Sequence, residues 1–159
     1  MRVHIAAIGR MKQGPERQLV ARYLDRAIAA GKPLALTGFE VAELAESRVS
    51  SAPSRKAEEA RALRAALPEG VVIALDEHGR TLGSEAFATR IAGWRDDGRS
   101  AVSFVIGGAD GLDPAFVAAA DLTLSFSPLT WPHQLVRIML AEQLYRATTI
   151  LSGHPYHRE

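Results

Sequence analysis

The chain has 159 residues, of which 47% are hydrophobic and 23% are charged. This is the composition of a soluble globular protein, and the length fits one domain over residues 1–159. The sequence has no cysteine, which excludes disulfides and thiolate metal sites and suits the reducing cytoplasm. No segment approaches the roughly 20 apolar residues of a membrane span, and the first residues do not form a secretory signal. The net charge of +1 gives no overall basic excess, so nucleic-acid binding needs a local patch or two subunits.

Short apolar runs alternate with helical patterns along the chain. In chain order the patterns predict a strand over 3–8, a helix over 15–30, a strand over 34–44, a helix over 54–67, a strand over 71–75, a helix over 84–94, a strand over 101–106, a helix over 114–120, a strand over 122–126 and a helix over 132–151. Ser84 and Asp113 are expected to cap the helices that follow them. Five strands alternating with five helices, several strands being apolar throughout, predict an α/β fold. Its parallel sheet carries helices on both faces.

Three of the predicted strands end in unusual loops, at 75–80, 107–112 and 125–133. Ligands of open α/β sheets bind at the carboxyl ends of strands, so these loops are candidate binding segments. The second loop is rich in glycine but lacks the phosphate-binding and dinucleotide-binding patterns, and Asp110 and Asp113 would repel phosphate. It is therefore either a ligand-binding loop or only a tight turn. Pro128 and Pro132 stiffen the third loop, which is either prepared for a ligand or simply a rigid connection.

The end of the chain permits several interpretations. The last predicted helix is apolar around much of its circumference, which indicates a place in the core or against a partner subunit. Residues 154–159, called the tail below, are His-Pro-Tyr-His-Arg-Glu. The tail is a solvated terminus, a metal site formed by His154, His157 and Glu159, or a flap that contacts a charged substrate. The basic residues of the helix over 54–67 are either a solvated face or an RNA-binding patch.

Six segments, in order and at characteristic spacing, resemble one protein family. They are Leu75-Asp76-x-x-Gly79, Ser84-Glu85-x-Phe87-Ala88, Phe104-Val105-Ile106-Gly107-Gly108-x-x-Gly111-Leu112, Leu129-Thr130-x-Pro132-His133-x-Leu135-x-Arg137, Glu142-Gln143-x-Tyr145-Arg146 and the tail. The chain resembles the RlmH family of large-subunit ribosomal RNA pseudouridine N3-methyltransferases, minimal members of the SPOUT methyltransferases. The likeness runs over the whole chain. Gly153, where many members have asparagine, and Trp131, at a variable apolar position, are minor departures.

The resemblance implies an α/β fold with a C-terminal trefoil knot, an exception to the rule against knotted chains. It also implies a homodimer that takes a methyl group from S-adenosyl-L-methionine and needs no metal. The implied product is an N3-methylated pseudouridine in large-subunit (23S) ribosomal RNA of assembled ribosomes. The cofactor contacts that carry over are Leu75, Gly107, Gly108, Ser127, Pro128, Leu129, Thr130, Trp131 and Pro132. They belong to the same three loops that the sheet pattern selects.

Transfer of a methyl group to N3 requires alignment of the reacting atoms and removal of the N3 proton. The candidates for this task are His133, Arg137, His154, Tyr156, His157 and Arg158. We favour the tail as the catalytic segment. His154 and Tyr156 would position or deprotonate the base, and Arg158 would hold a phosphate or the developing anion. Two rival hypotheses stay open, a binding module on an α/β fold without catalysis and methylation of free RNA or transfer RNA.

Overall fold

Strands and helices alternate along residues 1–158, the part of the chain that the computed structural model describes. The elements are β1 (Arg2–Ile8), α1 (Pro15–Gly31), β2 (Thr37–Leu44), α2 (Ala52–Ala66), β3 (Val71–Thr81), α3 (Ser84–Asp96), β4 (Ala101–Ile106), α4 (Pro114–Ala118), β5 (Leu122–Ser125) and α5 (His133–Leu151), with a 3-10 turn at Lys32–Leu34. Within residues 1–158, none of the helices has the length and apolar character that a membrane crossing requires.

The five strands form one sheet in the order β2-β1-β4-β3-β5, and every neighbouring pair is parallel. The central strands β1 and β4 are mostly apolar because both of their faces are covered. All six residues of β4 are buried, and β1 is buried at every position after its first residue. The predicted parallel α/β sheet is therefore confirmed.

Alternate side chains of each strand pack into two separate cores. On one face, Val3 and Ile5 of β1 pack in a core that α1, α3 and α5 complete. On the other face, Ala6 and Ile8 pack with residues of α2 and with Phe116 of α4. The prediction of helices on both faces is confirmed. The last helix lies within the core of its own chain, where α5 packs against α1 and α3.

β3 is longer than its apolar run predicts. The prediction ended the strand at Leu75, but β3 continues to the turn before α3 because Arg80 pairs again with β5. Leu75 and Arg80 are both opposite Leu124, so residues 76–79 bulge out of the ladder between them. A Cβ at Gly79 would lie 2.8 Å from main-chain atoms of Leu124, which explains the glycine at this close approach.

The helix starts are set by different caps. The predicted cap at Ser84 is wrong, because Gly83 is the capping residue and the Ser84 hydroxyl donates to Gln143 Oε1 at 2.8 Å. α2 begins earlier than predicted because Ser51 caps it through its side chain. Asp113 caps α4 by accepting two main-chain N–H groups, as its position before a proline predicts.

A buried arginine connects α5 to the sheet. The Arg137 side chain is only 3% exposed, and its Nη2 donates to the carbonyl oxygens of Ile8 and Gly9 at 2.8 and 2.6 Å. Its Nη1 donates to Glu43 Oε1 in β2 at 2.8 Å. Burial lowers the pKa of Arg137, and the Glu43 carboxylate opposes that effect. The start of α5 is thereby fixed to the carboxyl ends of β1 and β2.

We expect Arg137→Met to lower the free energy of unfolding by about 3 kcal/mol, because the Ile8 and Gly9 carbonyls and Glu43 lose a buried partner. Urea unfolding measures this loss. The double variant Glu43→Leu/Arg137→Met is expected to be more stable than Arg137→Met, since the carboxylate that lost its partner is removed too. If the free energy of unfolding of Arg137→Met lay within 1 kcal/mol of the wild-type value, with the error of the measurement taken into account, Arg137 would not have the role assigned to it.

Candidate functional site

The three loops selected from the sequence lie side by side at one edge of the sheet. Leu75 pairs with Ile106 of β4 on one side and with Leu124 of β5 on the other. The loop over 107–112, called the glycine loop, follows Ile106 directly. The loop over 127–132, called the proline loop, follows shortly after Leu124. Because all three strands run in the same direction, Leu75, which precedes the bulge of β3, lies between the two loops that hold the other eight residues predicted to contact the cofactor.

The glycine loop is a compact turn. The Gly111 N–H donates to the Gly108 carbonyl at 3.0 Å, and a Cβ at Gly107 would lie 2.8 Å from the Gly111 carbonyl carbon. At Gly108 a Cβ would lie 3.0 Å from Ile8 Cγ2. Larger residues at these two positions would displace their neighbours, so the loop needs glycine for its shape.

The proline loop is attached to the bulge of β3. Ser125 Oγ donates to the Ser127 carbonyl at 2.8 Å, and Ser127 Oγ in turn accepts the Leu129 N–H at 2.9 Å. Thr130 Oγ1 donates to Glu77 Oε2 at 2.7 Å. Both the start and the middle of the loop are therefore fixed by polar contacts.

Two large apolar side chains of the proline loop are exposed. Leu129 is 65% exposed and Trp131 is 39% exposed. Exposed apolar groups next to a glycine-rich turn are suited to contact a ligand or a partner subunit. Leu75, half-buried between them and the glycine loop, adds a third apolar group at this edge. These residues fit an adenosine-containing ligand, since main-chain groups can bind the polar edge of a base while apolar side chains contact its faces.

Tyr156 and His157 of the tail lie against α5. The Tyr156 hydroxyl donates to Glu142 Oε1 at 3.0 Å, and the Tyr156 ring lies 4.7 Å from the Tyr145 ring and 4.9 Å from the Arg146 guanidinium. His157 Nδ1 is 3.2 Å from Arg146 Nη1. A fully solvated terminus is therefore wrong for Tyr156 and His157.

The three residues proposed as catalytic have different surroundings. His154 is exposed, and its Nδ1 accepts the Tyr156 main-chain N–H at 3.2 Å. Arg158 is exposed as well, whereas Tyr156 is half-buried. Burial and the hydrogen bond to Glu142 raise the pKa of Tyr156 to about 12. The Tyr156 hydroxyl is consequently neutral at physiological pH and acts as a hydrogen-bond donor.

An open cavity of about 430 Å³ lies between the start of α3, the end of β5 and the middle of α5. Its polar lining includes Ser84, Ser125, Glu142 and Gln143, and Tyr23, Phe126 and Met139 are among its apolar groups. Glu142 also holds the tail, and Ser125 holds the proline loop. The cavity thus touches groups that hold both predicted parts of the site, although none of the nine predicted cofactor residues lines it.

Glu142 has a larger role than sequence reasoning assigned to it. The spacing of Glu142 and Arg146 predicts a surface ion pair, and the pair is present with Arg146 Nη2 at 2.6 Å from Glu142 Oε1. The same carboxylate accepts from Tyr156 and from the Gln143 amide. The i, i+4 spacing predicts the ion pair, but no local sequence pattern links Glu142 to Tyr156, which is 14 positions away.

The other interpretations of charged residues have mixed outcomes. Among residues 1–158 there is no group of three or more metal-binding side chains, and Glu159, the third member of the hypothetical metal site, lies outside the described residues. In α2, Arg55 is paired with Asp110, and Arg64 lies over the Phe116 ring at 5.1 Å. These two arginines are already engaged within the chain, so α2 does not present all of its basic groups as a free patch.

A model of the family described as "Predicted SPOUT methyltransferase" matches residues 1–157. Two proteins named ribosomal RNA large subunit methyltransferase H are similar over 159 residues. The protein of Rhizobium etli is 57% identical and that of Brucella anthropi is 58% identical, and in both cases 99% of each chain is covered.

Solved structures share the fold at low sequence identity. A probable methylase family protein of Haemophilus influenzae aligns with a TM-score of 0.52 and 12% identity, over 99% of this chain and 70% of that one. A probable methyltransferase of Bordetella pertussis aligns with a TM-score of 0.51 and 16% identity, over 92% of this chain and 95% of that one. With the family match over nearly its whole length, the chain belongs to the SPOUT methyltransferases and, within them, to the rRNA-modifying family of ribosomal RNA large subunit methyltransferase H.

Proposed function

We propose that this chain methylates N3 of a pseudouridine in large-subunit (23S) ribosomal RNA, on assembled ribosomes in the cytoplasm, with S-adenosyl-L-methionine as methyl donor. The observation that carries the proposal is the meeting of the glycine loop, Leu75 and the proline loop at one sheet edge. The names of the relatives at 57 and 58% identity support the ribosomal RNA substrate. The proposal includes one domain over 1–159 and a trefoil knot at its C-terminal end.

The residues at the sheet edge divide the work of holding the cofactor. Main-chain groups of Gly107 and Gly108 and of the proline loop would bind its polar atoms, and Leu75, Leu129 and Trp131 would contact its adenine. When bound, S-adenosyl-L-methionine supplies a methyl group on a positively charged sulfur. Because their hydrogen bonds hold the loops in place, the loops would align the bound cofactor with the RNA base with little movement before the reaction.

The tail would act on the RNA base. Tyr156, which is neutral and donates its one hydroxyl proton to Glu142, is suited to accept a hydrogen bond from a base N–H and so to position the base. The raised pKa makes a tyrosinate an unfavourable base, so His154 is the better acceptor for the N3 proton, once its Nδ1 releases the Tyr156 main-chain N–H. Arg158, exposed at the end of the described tail, would bind a phosphate or the anionic base.

A homodimer belongs to the proposal for two reasons. Leu129, Trp131 and Leu135 are exposed and lie in the proline loop and the first turn of α5, where a partner subunit would cover them. A dimer would also combine the small positive charge of two chains on one RNA surface. The partner subunit would then lie next to the cofactor loops.

Methyl transfer to ribosomes tests the proposed function. Ribosomes from cells that lack this protein are expected to accept a radiolabelled methyl group from S-adenosyl-L-methionine, and mass spectrometry of the nucleosides should give N3-methylpseudouridine. Naked large-subunit RNA and transfer RNA serve as controls and should accept much less. Cofactor binding without transfer would favour the binding-module hypothesis, and preferred transfer to free RNA would favour the second rival.

Removal of residues 154–159 separates the two halves of the site. We expect the truncated protein to bind S-adenosyl-L-methionine with nearly wild-type affinity, because the contacts that hold the cofactor loops within residues 1–158 are made by Ser125, Glu77 and Arg55. Methylation of ribosomes should fall by at least about 100-fold, the range for loss of a general base or positioning group. Isothermal titration calorimetry and the transfer assay measure the two effects. Unchanged turnover would refute a catalytic tail.

The ionisation of Tyr156 can be measured directly. Since the folded pKa is about 12 and a free tyrosine has a pKa of about 10, Tyr156 favours the folded state below pH 10, and this contribution is lost as the pH rises towards 12. At about pH 11 the folded wild type and Tyr156→Phe should therefore show almost the same phenolate absorbance. If Tyr156→Phe had clearly less phenolate absorbance than the wild type at that pH, Tyr156 would have an ordinary tyrosine pKa, and the prediction would be wrong.

A further inference from the structure

The glycine loop is joined to α2 by an ion pair that the proposed reaction does not use. Arg55 Nε donates to Asp110 Oδ2 at 2.7 Å, and Arg55 Nη2 donates to Asp110 Oδ1 at 3.2 Å. The two parallel bonds match the planar guanidinium to the planar carboxylate. The two side chains are 28% and 31% exposed, so the pair is partly shielded from water.

Arg55 uses its remaining terminal nitrogen on a third segment. Its Nη1 donates to the carbonyl oxygens of Val49 and Ser50 at 3.0 and 2.9 Å. One guanidinium thereby joins α2, the connection that precedes it and the glycine loop. The hydrogen bond between the two side chains raises the pKa of Arg55 and lowers the pKa of Asp110. Both groups are charged at neutral pH.

The beginning of the glycine loop also rests on α2. A Cβ at Gly108 would lie 3.3 Å from Glu59 Oε2 and 3.0 Å from Ile8 Cγ2. Glu59 is only 6% exposed, and its other oxygen accepts the Ser47 main-chain N–H at 3.0 Å. The first half of α2 therefore binds the glycine loop at Asp110 and lies close to it at Gly108.

A loop with three glycines needs such support. Gly107, Gly108 and Gly111 have wide conformational freedom, and a ligand binds only the fraction of molecules in which the loop has the competent shape. An unpaired carboxylate at position 110 would also repel the carboxylate of an amino-acid ligand. Arg55 removes both problems, because it fixes the loop and neutralises Asp110.

We propose that Arg55 is a positioning residue that holds the glycine loop, through Asp110, in the conformation that binds the methyl donor. The proposal rests on the proposed function, since the ligand is S-adenosyl-L-methionine. In this proposal Arg55 supports cofactor binding and does not contact the RNA. Asp110 acts as the point of attachment and needs no contact with the cofactor.

The test combines binding and hydrogen exchange. For Arg55→Ala we expect the Kd for S-adenosyl-L-methionine to rise about three- to tenfold, in proportion to the competent fraction of loop conformations. Main-chain amides over 107–112 should exchange faster in the ligand-free variant. The kcat on ribosomes at saturating cofactor should stay within about twofold of wild type, since the bound loop reaches the same shape.

Matched variants keep the result specific. Asp110→Asn should also raise the Kd for S-adenosyl-L-methionine, and Arg55→Lys should raise it less than Arg55→Ala because a lysine can still form one bond. The double variant Arg55→Ala/Asp110→Asn should bind the cofactor at least as tightly as Arg55→Ala. Arg61→Ala, an exposed change on the same helix, should leave the Kd unchanged. The proposal would be overturned if Arg55→Ala kept the wild-type Kd for the cofactor and the wild-type amide exchange over 107–112. It would also be overturned if the variant changed only the KM for ribosomes. Failure of the wild type itself to bind the cofactor would overturn the proposed function as well.

Discussion

The site depends on one buried arginine. Arg137 binds the main-chain ends of β1 and the Glu43 carboxylate of β2, so the start of α5 has one position relative to the carboxyl edge of the sheet. The proline loop ends where α5 begins, and Glu142 lies further along the same helix. The cost of burying a guanidinium is considerable, and replacing both Arg137 and Glu43 by apolar residues of similar size would often serve stability as well. What the arginine adds is a defined position of α5, because its two terminal nitrogens match a particular set of oxygens.

Three carboxylates that take no part in the proposed reaction each hold one segment of the site. Glu77 accepts from Thr130 of the proline loop, and Asp110 connects the glycine loop to α2. Glu142 accepts from Tyr156 and so holds the tail on α5. Each contact is a charged or hydroxyl hydrogen bond on a segment that lacks regular structure. Preorganisation of this kind is what a group transfer needs, since most of the barrier that an enzyme can remove here lies in alignment.

Local pattern was sufficient for the elements of the fold and insufficient for the contacts between them. The apolar runs of β1 and β4 and the cap at Asp113 predict their elements because each depends on neighbours in sequence. The extension of β3 was missed since its second half is polar and pairs only after a bulge. The three loops could be placed at one edge from strand direction alone. The contact between Glu142 and Tyr156 could not be predicted, because it depends on how the tail turns back along α5.

The internal use of arginine also bears on how the enzyme would recognise RNA. Arg55, Arg137 and Arg146 each bind a carboxylate of the same chain, so they contribute to the count of positive charges but offer little to phosphate. With a net charge of only +1, the chain has a weak electrostatic attraction for an arbitrary nucleic acid. Weak general attraction favours a substrate that supplies shape and several contacts at once. An assembled ribosome meets that requirement and a flexible free RNA does not, which supports the proposed preference for ribosomes.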